Sequence, residues 1–204
     1  MDKYTFEAYD RKEKLETWEW DRVMINHTED EKGKRLLYIG DSISCGVRAV
    51  ENEKHGIYFD GFGTSKALDN PYFRPALSLF ARQQGRRDVV LFNNGLHGWH
   101  LDDKTEYKEY YEDFVKYLLD EFKGTPLYIV LTTFYSNEKR VHRVVARNEV
   151  ALEIAKKYDL PVIDLYTVSL NNKDLLSEDG VHFLDAGYEK LTDEIIACIS
   201  KEFD

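Results

Sequence analysis

Three residues of this chain could carry out acyl-transfer chemistry together: Ser42, Asp179 and His182. Ser42 follows the apolar run Leu36-Leu37-Tyr38-Ile39 and the pair Gly40-Asp41. Such a run reads as a buried strand. A serine just past its end can point into a cleft, where the next helix offers free backbone N–H groups. Taken alone, the stretch also fits a plain turn, with Gly40 bending the chain and Asp41 or Ser42 capping the helix. Asp179 stands three residues before His182 in Glu178-Asp179-Gly180-Val181-His182-Phe183. One turn of chain between them lets the carboxylate bond Nδ1–H and leaves Nε2 facing outward as a base. That pair alone also fits a surface Asp-Gly turn with an incidental histidine. A serine with a base and its orienter at neighbouring strand ends is the full constellation for nucleophilic acyl transfer.

The elements that must position these residues follow from hydrophobic patterning. Strands are expected at Leu36–Ile39, Ile57–Phe59 (the weakest), Asp88–Phe92, Leu127–Thr132 and Val162–Leu165. Helical spacing runs from Pro71 to Gln84, from Thr105 to Lys123 and from Val144 to Tyr158. A last helix, with Asp185 as its cap, carries Tyr188, Leu191, Ile195 and Ile199. Strands alternating with helices imply βαβ units and a parallel sheet covered on both faces. Ligands bind such sheets beyond the carboxyl ends of the strands. Topology therefore selects Ser42, Gly63, His97, Thr133 and the segment Ser177 to His182 as site candidates. Residues 1–34 are charged and aromatic, with Tyr9, Trp18 and Trp20 and no clean period. They read as an extension packed on a domain of residues 35–204, either a strand pair on its edge or a flap near the cleft.

Composition narrows the function. The net charge of −10 and the lack of any long basic cluster argue against nucleic acid or an anionic membrane as partner. The start of the chain lacks a signal-peptide core, and no apolar run reaches membrane-spanning length. Cys45 and Cys198 cannot build a disulfide framework. A cytoplasmic protein is expected. Cys45, near a helix N-terminus, reads as a packing thiol rather than a reactive one. His97 and His100 are spaced like a metal pair but are too few for a zinc site. No dinucleotide or P-loop motif is present. Neither metal nor cofactor is expected.

Two blocks of the sequence resemble the SGNH, or GDSL-type, hydrolases. Gly40-Asp41-Ser42-Ile43 is similar to the first block of that family, and Asp179-Gly180-Val181-His182 to its last, Asp-x-x-His. The resemblance spans roughly residues 35–200, the size of one α/β domain. It implies a flavodoxin-like three-layer α/β/α sandwich with five parallel strands. It also implies Ser42 as nucleophile, His182 as general base and Asp179 as its orienter. The family's oxyanion hole takes the serine N–H, a glycine N–H from a second block and an asparagine side chain from a third. Gly63 matches the second-block glycine, with Gly61 as the alternative. The third block departs from the family pattern in Asn94-Gly95-Leu96-His97-Gly98: His97 stands where the asparagine belongs, and Gly98 replaces an aspartate. An imidazole can donate an N–H, so His97 can fill the role, with Asn94 as fallback.

The resulting expectation is a serine esterase working through an acyl-enzyme on a small-molecule or oligosaccharide ester. The polar or small residues around the blocks, with Trp18, Trp20, Trp99 and His100 near the cleft, suit a short acyl group on a carbohydrate. The rivals are a lysophospholipase or thioesterase, and a binding module that has kept the fold and lost turnover. A homo-oligomer through a free sheet edge is compatible with this architecture.

Overall fold

The structure is a computed structural model that describes residues 15–50 and 55–203. Residues 1–14, with Tyr9 and part of the expected N-terminal extension, lie outside the described residues. The elements are β1 (Asp21–Met24), β2 (Lys34–Gly40), α1 (Ser42–Val50), β3 (Ile57–Thr64), α2 (Phe73–Gln84), β4 (Val89–Phe92), α3 (Lys104–Glu121), β5 (Leu127–Val130), α4 (Val141–Lys157), β6 (Val162–Ile163), α5 (Leu165–Asn171) and α6 (Asp185–Ile199). They build one mostly parallel sheet with strand order β1-β3-β2-β4-β5-β6, flanked by helices on both faces. The flavodoxin-like α/β/α sandwich expected from the sequence is what the chain forms.

Burial on both faces explains the apolar strands. Along β2, Leu37 and Ile39 point into a core shared with Phe73 and Leu77 of α2 and Phe114 and Leu118 of α3. Leu36 and Tyr38 alternate to the other face, against Val47 of α1 and Leu191 and Ile195 of α6. All four are essentially inaccessible. The chain leaves β2 toward β3 on one side and returns to β4 on the other. That reversal opens a crevice beyond the carboxyl end of β2, where Ser42 stands.

The sheet has six strands rather than five. The sixth, β1, pairs antiparallel with β3, Asp21 opposite Thr64 and Met24 opposite Gly61. Its four residues are all exposed, so no alternation betrays it. The second parallel strand is also longer than expected, running to Thr64 through Asp60, Gly61 and Gly63. These are poor strand formers that tertiary contacts accommodate. Asp60 is fully buried and accepts from Arg35 at 2.9 and 3.0 Å, from Gln84 at 2.7 Å and from the Asn26 N–H at 2.8 Å. A Cβ on Gly61 would collide with the Arg48 guanidinium, and one on Gly63 with Cys45 Sγ. At the far edge β6 stops at Ile163, because Asp164 caps α5 by accepting from the Thr167 N–H at 2.9 Å. The last helix starts at Asp185 itself, with Leu184 in the capping position and no side-chain cap. No helix among the described residues is long and apolar enough to cross a membrane.

The Arg35–Asp60 pair yields a stability prediction. Asp60→Ala leaves a buried guanidinium without its counter-charge and costs about 3–5 kcal/mol. Urea unfolding of the two proteins measures this. A loss below about 1 kcal/mol, the size of an exposed pair, would show that the carbonyls of Asn26 and His27, which also accept from Arg35, suffice.

Candidate active site

Ser42 opens α1 directly after the β2 turn. Its neighbour Asp41 is buried and accepts from the Ile43 N–H at 2.9 Å, fixing the turn. The loop between α5 and α6, rather than the end of a strand as expected because α5 intervenes after β6, brings His182 across, with Nε2 2.8 Å from Ser42 Oγ. His182 Nδ1 lies 2.6 Å from Asp179 Oδ2. The Asp179–His182 turn is built by the aspartate itself. Its Oδ1 accepts from the N–H groups of Val181 and His182, both at 2.9 Å, and from Ser177 Oγ at 2.8 Å. Gly180 adopts a positive φ of 71°, and a Cβ there would strike Ser136 Oγ. Partial desolvation works against the Asp179 charge. The hydrogen bonds from His182, from the two backbone N–H groups and from Ser177 outweigh it and hold the carboxyl well below the usual range. Asp179 is therefore a carboxylate throughout the neutral range, able to orient the imidazole and stabilise its charged form.

Ser42 and His182 face a cavity of about 580 Å³, lined also by Trp20, Asp21, Arg22, Cys45 and His97. The structure thus brings three of the expected residues, Ser42, His182 and His97, to one space, with Asp179 behind His182. His97 meets the edge of Trp20 at 5.9 Å between ring centroids, and its Nδ1 is 3.8 Å from Glu16 Oε1. Among the described residues, none hydrogen-bonds either ring nitrogen of His97. Asn94 differs, since its Nδ2 donates to the Lys66 carbonyl at 3.3 Å. Gly63 sits opposite Gly40 beside the Ser42 turn, 3.5 Å from the Asp41 carbonyl when a Cβ is placed on it. Gly61, two residues back, faces Arg48 instead. His100 turns to Asp69 Oδ2 at 2.8 Å. Cys45 is a free, buried thiol whose pKa burial pushes up. Trp18 is exposed, and Trp99 packs near Tyr135 under the guanidinium groups of Arg140 and Arg143.

Sequence reading missed the residue that holds the His97 loop. Arg147 of α4 is 3% exposed and donates to four carbonyls: Gly95 at 3.2 Å, His97 at 2.5 Å, Gly98 at 2.6 Å and Leu101 at 3.1 Å. Glu16 adds an acceptor for the Gly98 N–H at 2.6 Å. Nothing in helical spacing marks Arg147 as more than a polar residue. Its only local signal is a charge on the buried stripe beside Val144 and Ala151. The cavity-lining role of Asp21 and Arg22 also carried no motif.

This arrangement is the SGNH/GDSL hydrolase-type fold, with a serine just past the end of β2 and an aspartate and a histidine on the connection between α5 and α6. A lipase/acylhydrolase from Enterococcus faecalis superposes with a TM-score of 0.65 at 21% identity, over 82% of this chain and 96% of its own. A member of the lipolytic G-D-S-L family from Veillonella parvula gives 0.66 at 17% identity, over 82% and 99%. An acetylxylan esterase from Geobacillus stearothermophilus gives 0.61 at 16% identity, over 82% and 94%. No protein-family model and no curated protein matches the chain.

Asp41 supplies a pH prediction. Burial pushes its carboxyl up, opposed by the charge of His97 and by the Ile43 N–H, and its Oδ2 is buried without a partner. A carboxyl whose folded pKa exceeds its unfolded value binds its proton more readily when folded. Its stabilising effect is present at low pH and is lost as pH climbs from the unfolded pKa through the folded one. Asp41→Asn lacks this dependence. The difference in unfolding free energy, variant minus wild type, therefore rises as pH climbs above the ordinary aspartate range. A flat difference in urea titrations would show that Asp41 titrates alike in both states.

Proposed function

We propose that the protein is a serine esterase of SGNH/GDSL type that removes short acyl groups, acetyl above all, from carbohydrate esters. The observation that carries this reading is the hydrogen-bonded chain from Asp179 through His182 to Ser42 Oγ. His182 Nε2 takes the Ser42 proton as Oγ attacks the ester carbonyl, and Asp179 stabilises the imidazolium. The oxyanion forms against the N–H groups of Ser42 and Gly63 and a ring N–H of His97. His182 then protonates the leaving alcohol, giving acyl-Ser42. Water, deprotonated by the same nitrogen, releases the acid and restores the serine. No step calls on a cofactor.

The cavity wall supports the substrate class. Its residues are aromatic, charged or small, and among the described residues no aliphatic side chain lines it for an acyl chain to bury against. Trp20 offers an aromatic face beside polar groups, which suits a sugar ring. One structural neighbour is itself an acetylxylan esterase. Residues 1–34 act in this reading as an extension on the hydrolase domain of residues 35–204, whose Trp20, Asp21 and Arg22 wall the cleft.

Ser42→Ala is expected to lower 4-nitrophenyl acetate hydrolysis by several powers of ten while the circular dichroism spectrum stays unchanged. Retention of more than about a tenth of the activity would remove Ser42 from the nucleophile's role. Along a series from acetate to palmitate, kcat/KM falls beyond butyrate. Each methylene entering an acyl pocket would instead add about 0.8 kcal/mol, so a maximum at octanoate or longer favours a lysophospholipase. Purified wild type with no turnover of any ester favours a binding module.

His97→Ala lowers kcat on the order of a hundred- to a thousandfold and changes KM much less, because an oxyanion donor acts in the transition state. Steady-state kinetics decides. A kcat within about threefold of wild type, far short of one lost oxyanion donor, assigns His97 to packing against Trp20.

A further inference from the structure

One charged side chain of the cavity is left over from the mechanism. Arg22 lies on the edge strand β1, directly opposite Gly63 of β3. Residues opposite one another across a ladder project from the same face of the sheet. A Cβ on Gly63 would point at Cys45 of α1, so Arg22 stands on the α1 face, the face that carries Ser42's helix. Arg22 lines the same cavity as Ser42, His97 and His182, and its charge acts on the thiol of Cys45 in that wall.

The acidic groups nearest Arg22, Asp21 and Asp179, are already engaged with other partners. Both oxygens of Asp21 take Lys66 Nζ at 2.7 Å, and one accepts from Thr64 Oγ1 at 2.6 Å. Asp179 is committed to His182, Val181 and Ser177. Among the described residues, the Arg22 side chain has no hydrogen-bond or ion-pair partner. A second cation adjoins it: Arg48, buried two residues along β3 over Gly61. Burial is what chiefly lowers the Arg48 pKa, and the Arg22 charge acts in the same direction. Two guanidinium groups on one face, in a chain of net charge −10, make a local positive field at the cavity wall. Charged residues on edge strands often serve only to discourage strand pairing. Such a residue has no reason to line the nucleophile's cavity.

We propose that Arg22 is a specificity residue that binds an anionic group, a carboxylate or a phosphate, on the ester substrate, so that the natural substrate is an acidic ester. This rests on the esterase reading above and narrows it. A guanidinium offers a planar fork of donors that matches either group bidentately, and charge-assisted bonds of this kind are among the strong ones. A cavity of about 580 Å³ has room for an acetylated sugar acid or sugar phosphate, within the usual range for small-ligand sites.

The test compares kcat/KM for three aryl acetates: phenyl acetate, 3-carboxyphenyl acetate and 3-(phosphonooxy)phenyl acetate. The proposal expects at least one anionic ester to be preferred over the neutral one. It also expects Arg22→Gln to cut that anionic-to-neutral ratio by about tenfold or more, the loss of one charge-assisted contact. Arg22→Lys retains part of the ratio, and the anion whose ratio falls more in Arg22→Gln identifies the source. Ratios within about twofold of wild type in Arg22→Gln overturn the proposal and leave the esterase reading standing. Calorimetry on the Ser42→Ala protein covers the case of no turnover. Trigalacturonate should bind more tightly than xylotriose, and adding Arg22→Gln should abolish the difference. Equal binding of the two sugars, with inorganic phosphate showing no binding that Arg22→Gln weakens, overturns it.

Discussion

Everything in this protein follows from β2 being buried on both faces. A strand with no solvent-facing side needs helices above and below, and parallel neighbours supply them through right-handed crossovers. Because β3 is added on one side of β2 and β4 on the other, the connections part beyond its carboxyl end. Ser42 stands at that parting, at the first position of α1, where backbone N–H groups lack partners within the helix. The location of Ser42 is thus a consequence of core formation, at a gap the sheet already had to leave.

Two buried arginines do for the loops what the core does for the strands. Arg35 donates to Asp60 and to the carbonyls of Asn26 and His27, pinning the segment that leads out of β1. Arg147 gathers four carbonyls of residues 95–101 and so fixes the loop that carries His97. Irregular backbone buried without partners is expensive, since each lost hydrogen bond costs the desolvation of its group. A guanidinium, with five donors in one plane, satisfies several carbonyls at once. In both cases a loop that could take many shapes is held to one. One of the carbonyls so held is that of His97, whose residue lines the Ser42 cavity.

Electrostatics divides the molecule. The chain as a whole is acidic, yet the cavity edge carries Arg22, with Arg48 behind it, and Arg140 and Arg143 crowd Trp99 on the loop after His97. Like charges so placed in a protein of opposite net charge concentrate a field in one region. Its neighbour Asp41 shows the opposite use of burial: a carboxyl kept out of water, with one oxygen bonded to the Ile43 N–H and the other bare.

The sequence by itself determined the alternation of strands and helices, and with it the sheet class and the strand ends where a site must lie. Period and apolar runs are local properties, so β2, β4, α3 and α4 were legible within a few residues. The spacing of Asp179 and His182 was legible for the same reason, because one tight turn closes within four residues. Tertiary structure decided what depended on distant partners. Strand β1 has no apolar alternation and exists because β3 offered an open edge. Strand β3 runs through Asp60 and two glycines because Arg35 neutralises the first and α1 side chains fill the space over the others. Strand β6 ends early because Asp164 found the Thr167 N–H. Arg147 and Arg22 read as ordinary charges until folding placed one under the His97 loop and the other on the wall of the Ser42 cavity. A side chain's type is written in the sequence, but the cost of leaving it unpaired, and so its role, is set by what the fold brings around it.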